Sequence, residues 1–162
     1  MPHHAFQLTI AELQAVIDRN PFNVWMGLQV TTMGSDGIGL RVSGRPEFIG
    51  TAALQRVHGG IISSLVDVAC GYAVMANTGH GVSTVDLHTD FHRGADLGVL
   101  HVSGQLIHRG NRLNCAQARI TDGLGVLIAS GRGNFYSSRD VLPEVAARLQ
   151  ESPSGPAPVQ RE

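Results

Sequence analysis

A histidine and two glycines, His58-Gly59-Gly60, stand directly before a long apolar segment with helical character. Glycines at this place leave free backbone N–H groups at the positive end of a helix. Such a helix start can hold an oxyanion or a polarised carbonyl oxygen. The same residues also suit a simple tight turn from loop to helix, so their spacing alone leaves both interpretations open.

Asp67 is the charged residue of this predicted helix and lies about two turns after its start. It shares one helical face with Ser63 and Gly71 at intervals of four residues, and Ser64 is adjacent. A carboxylate beside apolar walls is costly unless it has a partner, and such a carboxylate suits general-base chemistry. The stripe therefore faces solvent, a reaction site or a second subunit.

The other histidines and the arginines give weaker indications. His88 and His92 have the spacing of two metal ligands on a helix, but their segment alternates like a strand, which separates them by about 13 Å. We therefore predict no metal site. Arg93, Arg109 and Arg112 stand near turns, where isolated guanidinium groups suit the phosphates of a nucleotide.

The elements that must position these residues follow from hydrophobic periodicity and turn residues. They are a helix at about 9–19, strands at 28–33 and 38–42, an irregular segment at 43–57, the central helix at about 60–77, and strands at 82–92, 98–108, 113–121 and 126–137. An antiparallel sheet wrapped around one helix, a single α+β domain over residues 1–137, is the simplest arrangement. Residues 138–162 should form a short helix and a disordered tail.

Two local expectations complete this arrangement. Asn20-Pro21 should stop the N-terminal helix, because the residue before a proline disfavours helical backbone. In the strand at 82–92, Val85, Leu87 and Phe91 alternate with polar residues, which predicts that their face lies in the core.

Composition excludes several classes of protein. The chain has 162 residues, of which 43% are hydrophobic and 15% charged, which suits one folded domain and excludes a disordered chain. We expect no membrane span and see no secretory signal at the start. The 12 basic residues are all scattered arginines, which does not favour nucleic-acid binding. Cys70 and Cys115 lie in apolar segments and are expected to be free thiols in a reducing cytoplasm.

The segment Val57-His-Gly-Gly-Ile-Ile-Ser-Ser-Leu-Val-Asp67 resembles the signature of hotdog-fold acyl-CoA thioesterases. The resemblance is closest to the phenylacetate-degradation type, which is related to 4-hydroxybenzoyl-CoA thioesterase. In that family a His-Gly-Gly precedes the central helix and an acidic residue lies nine positions after the histidine, as Asp67 does here. Gly81-Val-Ser-Thr-Val-Asp-Leu87, His108-Arg-Gly110 and Ala129-Ser-Gly131 also resemble family motifs, in order. The likeness covers roughly residues 21–137 and implies the hotdog fold.

The resemblance also implies a role for several residues. Asp67 matches the catalytic carboxylate, which activates water or attacks the thioester carbon, and Gly59 matches the glycine whose N–H polarises the thioester carbonyl. His58 matches a residue that shapes the loop, and Thr84 matches a serine or threonine that helps to place the water. The expected substrate-binding residues are Gly60, Gln55, Ser64, Ser83, Arg93 and Arg109.

The family builds its site across a dimer interface, so the resemblance implies that Asp67 works opposite Gly59 of a second subunit. Dimers of this family often pair into tetramers. The implied reaction is the hydrolysis of an acyl-CoA in the cytoplasm with no cofactor, since CoA is part of the substrate. No nucleic-acid or membrane partner is expected.

One departure from the family keeps other functions open. Many relatives carry an amide side chain six or seven residues before the histidine, where this chain has Ala52 and Thr51, and its nearest amide is Gln55. The alternatives are a non-catalytic binding protein for an acyl-CoA or another small ligand, and a hotdog hydratase or dehydratase. One group of hydratases has a histidine five residues after the aspartate, where this chain has Tyr72.

Overall fold

The computed structural model describes residues 7–34 and 37–151. In chain order its elements are α1 (Ile10–Asp18), α2 (Pro21–Met26), β1 (Gln29–Gly34), β2 (Gly37–Ser43), a 3₁₀ turn (Pro46–Phe48), β3 (Ile49–Thr51), β4 (Arg56–Val57), α3 (Gly59–Thr78), β5 (His80–Phe91), β6 (Val99–His108), β7 (Leu113–Asp122), β8 (Leu127–Val141) and α4 (Pro143–Glu151). The main sheet has the order β1-β2-β6-β7-β8-β5, while β3 and β4 form a separate pair. All of these strand pairings are antiparallel.

The main sheet wraps around α3, which packs against β2 and the four strands β5–β8. The buried residues of the helix are Ile62, Leu65, Val66, Ala69, Cys70, Gly71, Tyr72, Ala73, Val74 and Ala76. They occupy most of the helical circumference, as expected for a helix enclosed by a sheet. This is the hotdog fold, and it confirms the predicted α+β class.

Helix α3 has a clear start and end in the sequence. At its start the side chain of His58 accepts a hydrogen bond from the backbone N–H of Gly60. At its end Gly79 has a φ of +74°, a left-handed conformation that favours glycine and terminates helices. The predicted helix at 60–77 is confirmed to within one residue at each end, and its 20 residues span about 30 Å.

Two sheet glycines let α3 lie close to the strands. A Cβ atom on Gly104 of β6 would lie 2.2 Å from the backbone oxygen of Ala69. A Cβ atom on Gly131 of β8 would lie 2.7 Å from a methyl carbon of Val66. Gly104 is required because the helix backbone and the sheet backbone nearly touch there, whereas Gly131 is also confined by the backbone oxygen of His88 in β5, 2.3 Å from its Cβ position.

Two short elements differ from the sequence-based expectation. Asn20 and Pro21 end α1 as predicted, but they also begin α2: the side chain of Asn20 accepts a hydrogen bond from Phe22 N at 3.0 Å, and Pro21 takes the first helical position. Proline is well suited to that position because its missing N–H is not needed there. The segment 43–57 is not wholly irregular either, since it contains the 3₁₀ turn and the β3–β4 pair.

Strand β5 departs from simple alternation. The register of its pairing with β8 shifts between Thr84 and Asp86, so the strand has a bulge at Val85. Val85 and Phe91 are exposed by 59% and 57%, and the expectation that they lie in the core is wrong. Leu87 is half-buried and packs against the core. A bulge reverses which side chains face inwards, and here it leaves Thr84 facing α3.

The C-terminal part of the described chain continues the domain beyond the expected limit at residue 137. Strand β8 extends to Val141, and Leu142 N donates to Gly79 O at 2.8 Å. Helix α4 follows, and its Val145 is buried in the core. The short helix expected after residue 138 is thus present, whereas the tail expected from residue 152 lies outside the described residues.

By length and composition alone, α3 is apolar enough to cross a membrane, with a mean hydropathy of 1.5. This test concerns length and composition only, so the expectation of no membrane span stays a prediction. More than half of the helix is buried inside this protein, and core helices of globular proteins commonly pass the same test.

Candidate active site

The loop before α3 holds the helix start in a fixed geometry. The backbone N–H of His58 donates to Phe48 O at 2.7 Å, and its ring Nδ1 accepts from Gly60 N at 2.8 Å. A Cβ atom on Gly50 of β3 would lie 2.7 Å from the His58 ring, so the imidazole packs directly on this strand. His58 therefore shapes the turn from β4 into α3, and its ring is occupied as a helix cap.

The backbone N–H of Gly59 is the first of α3. Within the described residues it donates no hydrogen bond, whereas the next N–H, of Gly60, is capped by His58. The positive end of the helix macrodipole adds to the attraction of this N–H for negative charge. Gly59 thus offers a free donor suited to a carbonyl oxygen that develops negative charge.

Asp67 lies two turns further along α3 and is half-buried. One of its carboxylate oxygens, Oδ1, accepts a hydrogen bond from Thr84 Oγ1 of β5 at 2.8 Å. The described residues provide no hydrogen bond to its second oxygen, Oδ2. A carboxylate held by one oxygen keeps the other available to a water molecule or to an electrophilic carbon.

Asp67 and Thr84 lie at the wall of a cavity of about 250 Å³. The other residues that line it are Asn20, Phe22, Asn23, Ser64, Val68, Gly71, Tyr72, Met75, Val82 and Phe135. The lining combines apolar and polar side chains, and Asp67 is the only acidic one among them. The cavity can hold an apolar group beside the carboxylate.

Gly59 and Asp67 of one chain are too far apart to act on the same atom. Eight residues of α3 separate them, a distance of about 12 Å along the helix axis. A donor that stabilises an oxyanion must lie about 3 Å from it. Any site that uses both groups therefore needs a Gly59 from a second copy of the chain.

The structure brings only some of the other predicted site residues to this cavity. Ser64 lines it, although its hydroxyl donates to Gly60 O at 2.8 Å. Ser83 is exposed on β5 beside Thr84 and does not line the cavity. Gln55 lies on an exposed turn with a φ of +50°, and its amide donates to Ala52 O at 2.8 Å.

The two predicted arginines lie away from Asp67 within one chain. Arg93 is exposed just after β5. Arg109 lines a separate cavity of about 400 Å³ that also contains Arg112 and Arg139 and has no acidic side chain in its wall. Thr78, at the far end of α3, lines this basic cavity and is about 16 Å along the helix from Asp67.

The sequence reasoning assigned no site role to Tyr72 and Asn23, which are both buried and line the Asp67 cavity. The side-chain N–H of Asn23 donates to the Tyr72 hydroxyl. Burial raises the pKa of Tyr72 to about 12; the Asn23 hydrogen bond opposes this change, while the nearby Asp67 charge adds to it. A tyrosine on a helix that is otherwise apolar was the only sequence signal for this pair.

Comparison with known proteins links this chain to one family. Residues 54–129 match the family model described as the thioesterase superfamily. A Mycobacterium tuberculosis protein named provisionally as an esterase is 30% identical over 117 residues, which cover 69% of this chain and 82% of that protein. The medium/long-chain acyl-CoA thioesterase YigI of Escherichia coli is 24% identical over 130 residues, or 71% of this chain and 84% of that protein.

Solved structures agree with these matches. A protein of the thioesterase superfamily has 43% sequence identity and a TM-score of 0.77, over 80% of this chain and 98% of its own. The E. coli PaaI protein of the phenylacetic acid degradation operon has a TM-score of 0.72 over 80% of this chain and 92% of its own. Its identity is 20%, so this second likeness concerns the fold alone.

Proposed function

Because this chain belongs to the thioesterase superfamily, we propose that it hydrolyses the thioester bond of an acyl-CoA to a free acid and CoA. The observation that carries this proposal is the Asp67 carboxylate, held by Thr84 at the wall of a cavity that is lined in part by apolar side chains. A thioester requires a placed nucleophile and a donor for the developing oxyanion. The Asp67 carboxylate serves as the nucleophile or activates it, and the free N–H of Gly59 at a helix start is the donor for the oxyanion.

We assign the chemical step to Asp67. In one form of the step, Oδ2 takes a proton from a water molecule whose oxygen attacks the thioester carbon. In the other form, Oδ2 attacks that carbon and water then hydrolyses the anhydride. In both forms the carbon–sulfur bond breaks, the thiolate leaves and takes up a proton, and Thr84 keeps the carboxylate in position.

The oxyanion donor comes from a second copy of the chain in this proposal. The distance of about 12 Å between Gly59 and Asp67 along one helix supports this assignment. Strand β5 also ends the main sheet, and its exposed Val85 and Phe91 are apolar groups that a second subunit can cover. We propose a homodimer with two equivalent sites, which can pair further into a tetramer.

The remaining predicted residues complete the proposed site. His58 and Gly60 fix the loop that presents Gly59, while Gln55 and Ser83 approach the thioester from exposed positions. Arg93 and Arg109 contact the CoA phosphates, and the acid-free wall around Arg109 supports that role. We place the reaction in the cytoplasm and assign it no metal or cofactor, because a carboxylate and an amide suffice for this chemistry.

The proposal is tested by measuring thiol release from aromatic and aliphatic acyl-CoAs with the wild type and with Asp67→Asn. We expect the variant to lose activity by a factor of about 10² or more, because an amide cannot act as base or nucleophile. Asp18→Asn, on the exposed surface of α1, is the matched control and should keep wild-type activity. Unchanged hydrolysis in Asp67→Asn would overturn the assignment.

Assays of the wild-type protein also distinguish the proposed thioesterase from the alternative functions. Binding of acyl-CoA without any thiol release indicates the binding protein, which the missing amide at Thr51 and Ala52 favours. Hydration of an enoyl-CoA indicates the hydratase. That outcome is disfavoured because Tyr72, at the position of the hydratase histidine, is buried and bonded to Asn23.

A further inference from the structure

The outer face of the main sheet, on the side away from α3, carries a serine in contact with a histidine. Ser130 lies in β8, and His92 directly follows β5. The ring nitrogen Nε2 of His92 is 2.8 Å from Ser130 Oγ. The neighbouring Ala129 is buried in the core, so Ser130 points outward. The proposed hydrolysis at Asp67 uses neither side chain.

The backbone holds His92 in a fixed position beside β8. His92 N donates to Ile128 O at 2.9 Å, and the next N–H, of Arg93, donates to the same oxygen at 3.1 Å. When the ring proton is on Nδ1, Nε2 accepts a hydrogen bond from the Ser130 hydroxyl. A serine hydroxyl within hydrogen-bond reach of a positioned imidazole is the arrangement that activates a nucleophile.

Two arginines flank Ser130 on the outer face. Arg119 of β7 is directly opposite Ser130 in the strand pairing, and Arg132 is the next outward residue along β8. The Cβ atoms of directly opposite residues lie about 5 Å apart, so the Arg119 side chain can reach a group on Ser130. Within the described residues, neither guanidinium group makes a hydrogen bond or an ion pair.

The carboxylate nearest to Ser130 in the strand pairing already has a partner. Asp90 of β5 is opposite Ser130 on the other side, and its Oδ1 is 3.1 Å from His88 Nε2. Ser130 is therefore surrounded by two unpaired guanidinium groups and one paired carboxylate. Guanidinium groups match the geometry of phosphoryl oxygens, so these surroundings favour a phosphoryl group as the electrophile.

We propose that Ser130 is a nucleophile that accepts a phosphoryl group from a small acyl phosphate, with His92 as its base. The bond between Ser130 Oγ and phosphorus forms, and the bond between phosphorus and the acyl oxygen breaks. The carboxylate leaves, and the hydroxyl proton passes to His92 Nε2. Arg119 and Arg132 bind the phosphoryl oxygens during transfer and in the phosphoserine. This modification site is separate from Asp67, which lies on the other side of the sheet.

The test incubates the full chain with acetyl phosphate and follows the mass of the intact protein. We expect the mass to increase by one phosphoryl group, located on Ser130 by fragmentation, and to stay unchanged in Ser130→Ala. His92→Gln keeps a hydrogen-bonding side chain without a base and should slow the transfer at least about tenfold. Ser103→Ala is the matched control and should be modified like the wild type. Ser103 is also opposite Arg119, but within the described residues it has no histidine partner.

Locating the phosphoryl group in the wild type does not depend on the folding of any variant. No gain in mass, a phosphoryl group on another residue, or transfer of the acetyl group instead would overturn the proposal. An equal rate in His92→Gln would also overturn it. The measurement involves no acyl-CoA, so its result is independent of the proposed thioesterase activity. Thiol release from acyl-CoA should be the same in Ser130→Ala and in the wild type.

Discussion

The two halves of helix α3 differ in how completely they are buried. The first half, residues 59–68, has an exposed Gly60 and a half-buried Gly59, Ser64 and Asp67. The second half, residues 69–78, is buried continuously from Ala69 to Val74. The first half therefore presents polar groups on one face while Ile62, Leu65 and Val66 are buried, whereas the second half is buried over most of its surface.

This difference separates chemistry from stability along a single element. Polar groups in the first half are not needed to hold the sheet, so substitutions there should change activity more than the free energy of unfolding. The second half is in close contact with the backbone of β6 at Gly104. Added volume there should therefore change the free energy of unfolding more than the activity. The following predictions examine this contrast, from the largest expected effect to the smallest.

The largest effect is expected from Gly59→Pro. Proline removes the free N–H but suits the first position of a helix, and His58 has the φ of −63° and ψ of 138° that a residue before proline adopts. We expect kcat to fall by about 10²–10³, the usual effect of losing one oxyanion donor, with little change in Tm. Gly59→Ala keeps the N–H and is the control, because its Cβ atom would meet Phe91 only at 3.5 Å.

The same variant tests whether the site needs two subunits. Gly59→Pro and Asp67→Asn are each expected to be nearly inactive, but a mixed dimer contains one intact site, with Asp67 from one chain and Gly59 from the other. Equimolar mixing and refolding should restore about a quarter of the wild-type activity, because half of the dimers are mixed and half of their sites are intact. Failure of mixing to restore activity, in a sample shown to contain mixed dimers, would contradict the shared site.

The sequence predicts the second half of α3 better than the contacts of the first. Apolar residues around most of the circumference and Gly79 at the end define the buried helix, and both are local signals. The family resemblance marks Thr84 as a residue that helps to place the water, but its hydrogen bond with Asp67 depends on the bulge at Val85, which is not visible in the sequence. The contact of Asn23 with Tyr72 joins residues 49 positions apart, which no local pattern predicts.

The helix start illustrates a second limit of sequence reasoning. Segment 43–57 has turn-forming residues and was expected to be irregular, yet β3 and β4 pair within it and position His58. Pairs this short carry too few residues to show alternation. The motif of glycines was recognisable from the sequence, whereas the backbone that supports it was not.

An intermediate effect, on stability, is expected from Gly104→Ala. The new methyl group would lie 2.2 Å from the backbone oxygen of Ala69, and backbone cannot move as a flexible side chain does. We expect a loss of about 3 kcal/mol in the free energy of unfolding, measured in urea, as for an overpacked core. Gly98→Ala is the control, because its Cβ atom would meet no atom within 4 Å. Equal stability of the two variants would contradict the close contact between α3 and β6.

The smallest effect concerns two titrating groups in the second half of the helix. Burial, with smaller contributions from Asp67 and Cys115, raises the pKa of the Cys70 thiol from 9.0 to about 12, and burial also raises that of Tyr72 from 10.0 to about 12. Between these values the unfolded chain loses protons that the folded chain keeps. The contribution of these two groups to the free energy of unfolding is therefore fully present below pH 9, and it is lost as the pH rises towards 12.

Each of the two groups can contribute at most about 1.4 kcal/mol per pH unit to this loss. Urea unfolding measures the free energy of unfolding at pH 8 and at pH 10. The decrease between these two pH values should be smaller in Cys70→Ala than in the wild type, even though the cavity makes the variant less stable at both. The pH dependence of the free energy of unfolding should differ between Tyr72→Phe and the wild type only above pH 10. An equal decrease in the free energy of unfolding in Cys70→Ala and the wild type would mean that water reaches the thiol. The second half of α3 would then not be more completely buried than the first half.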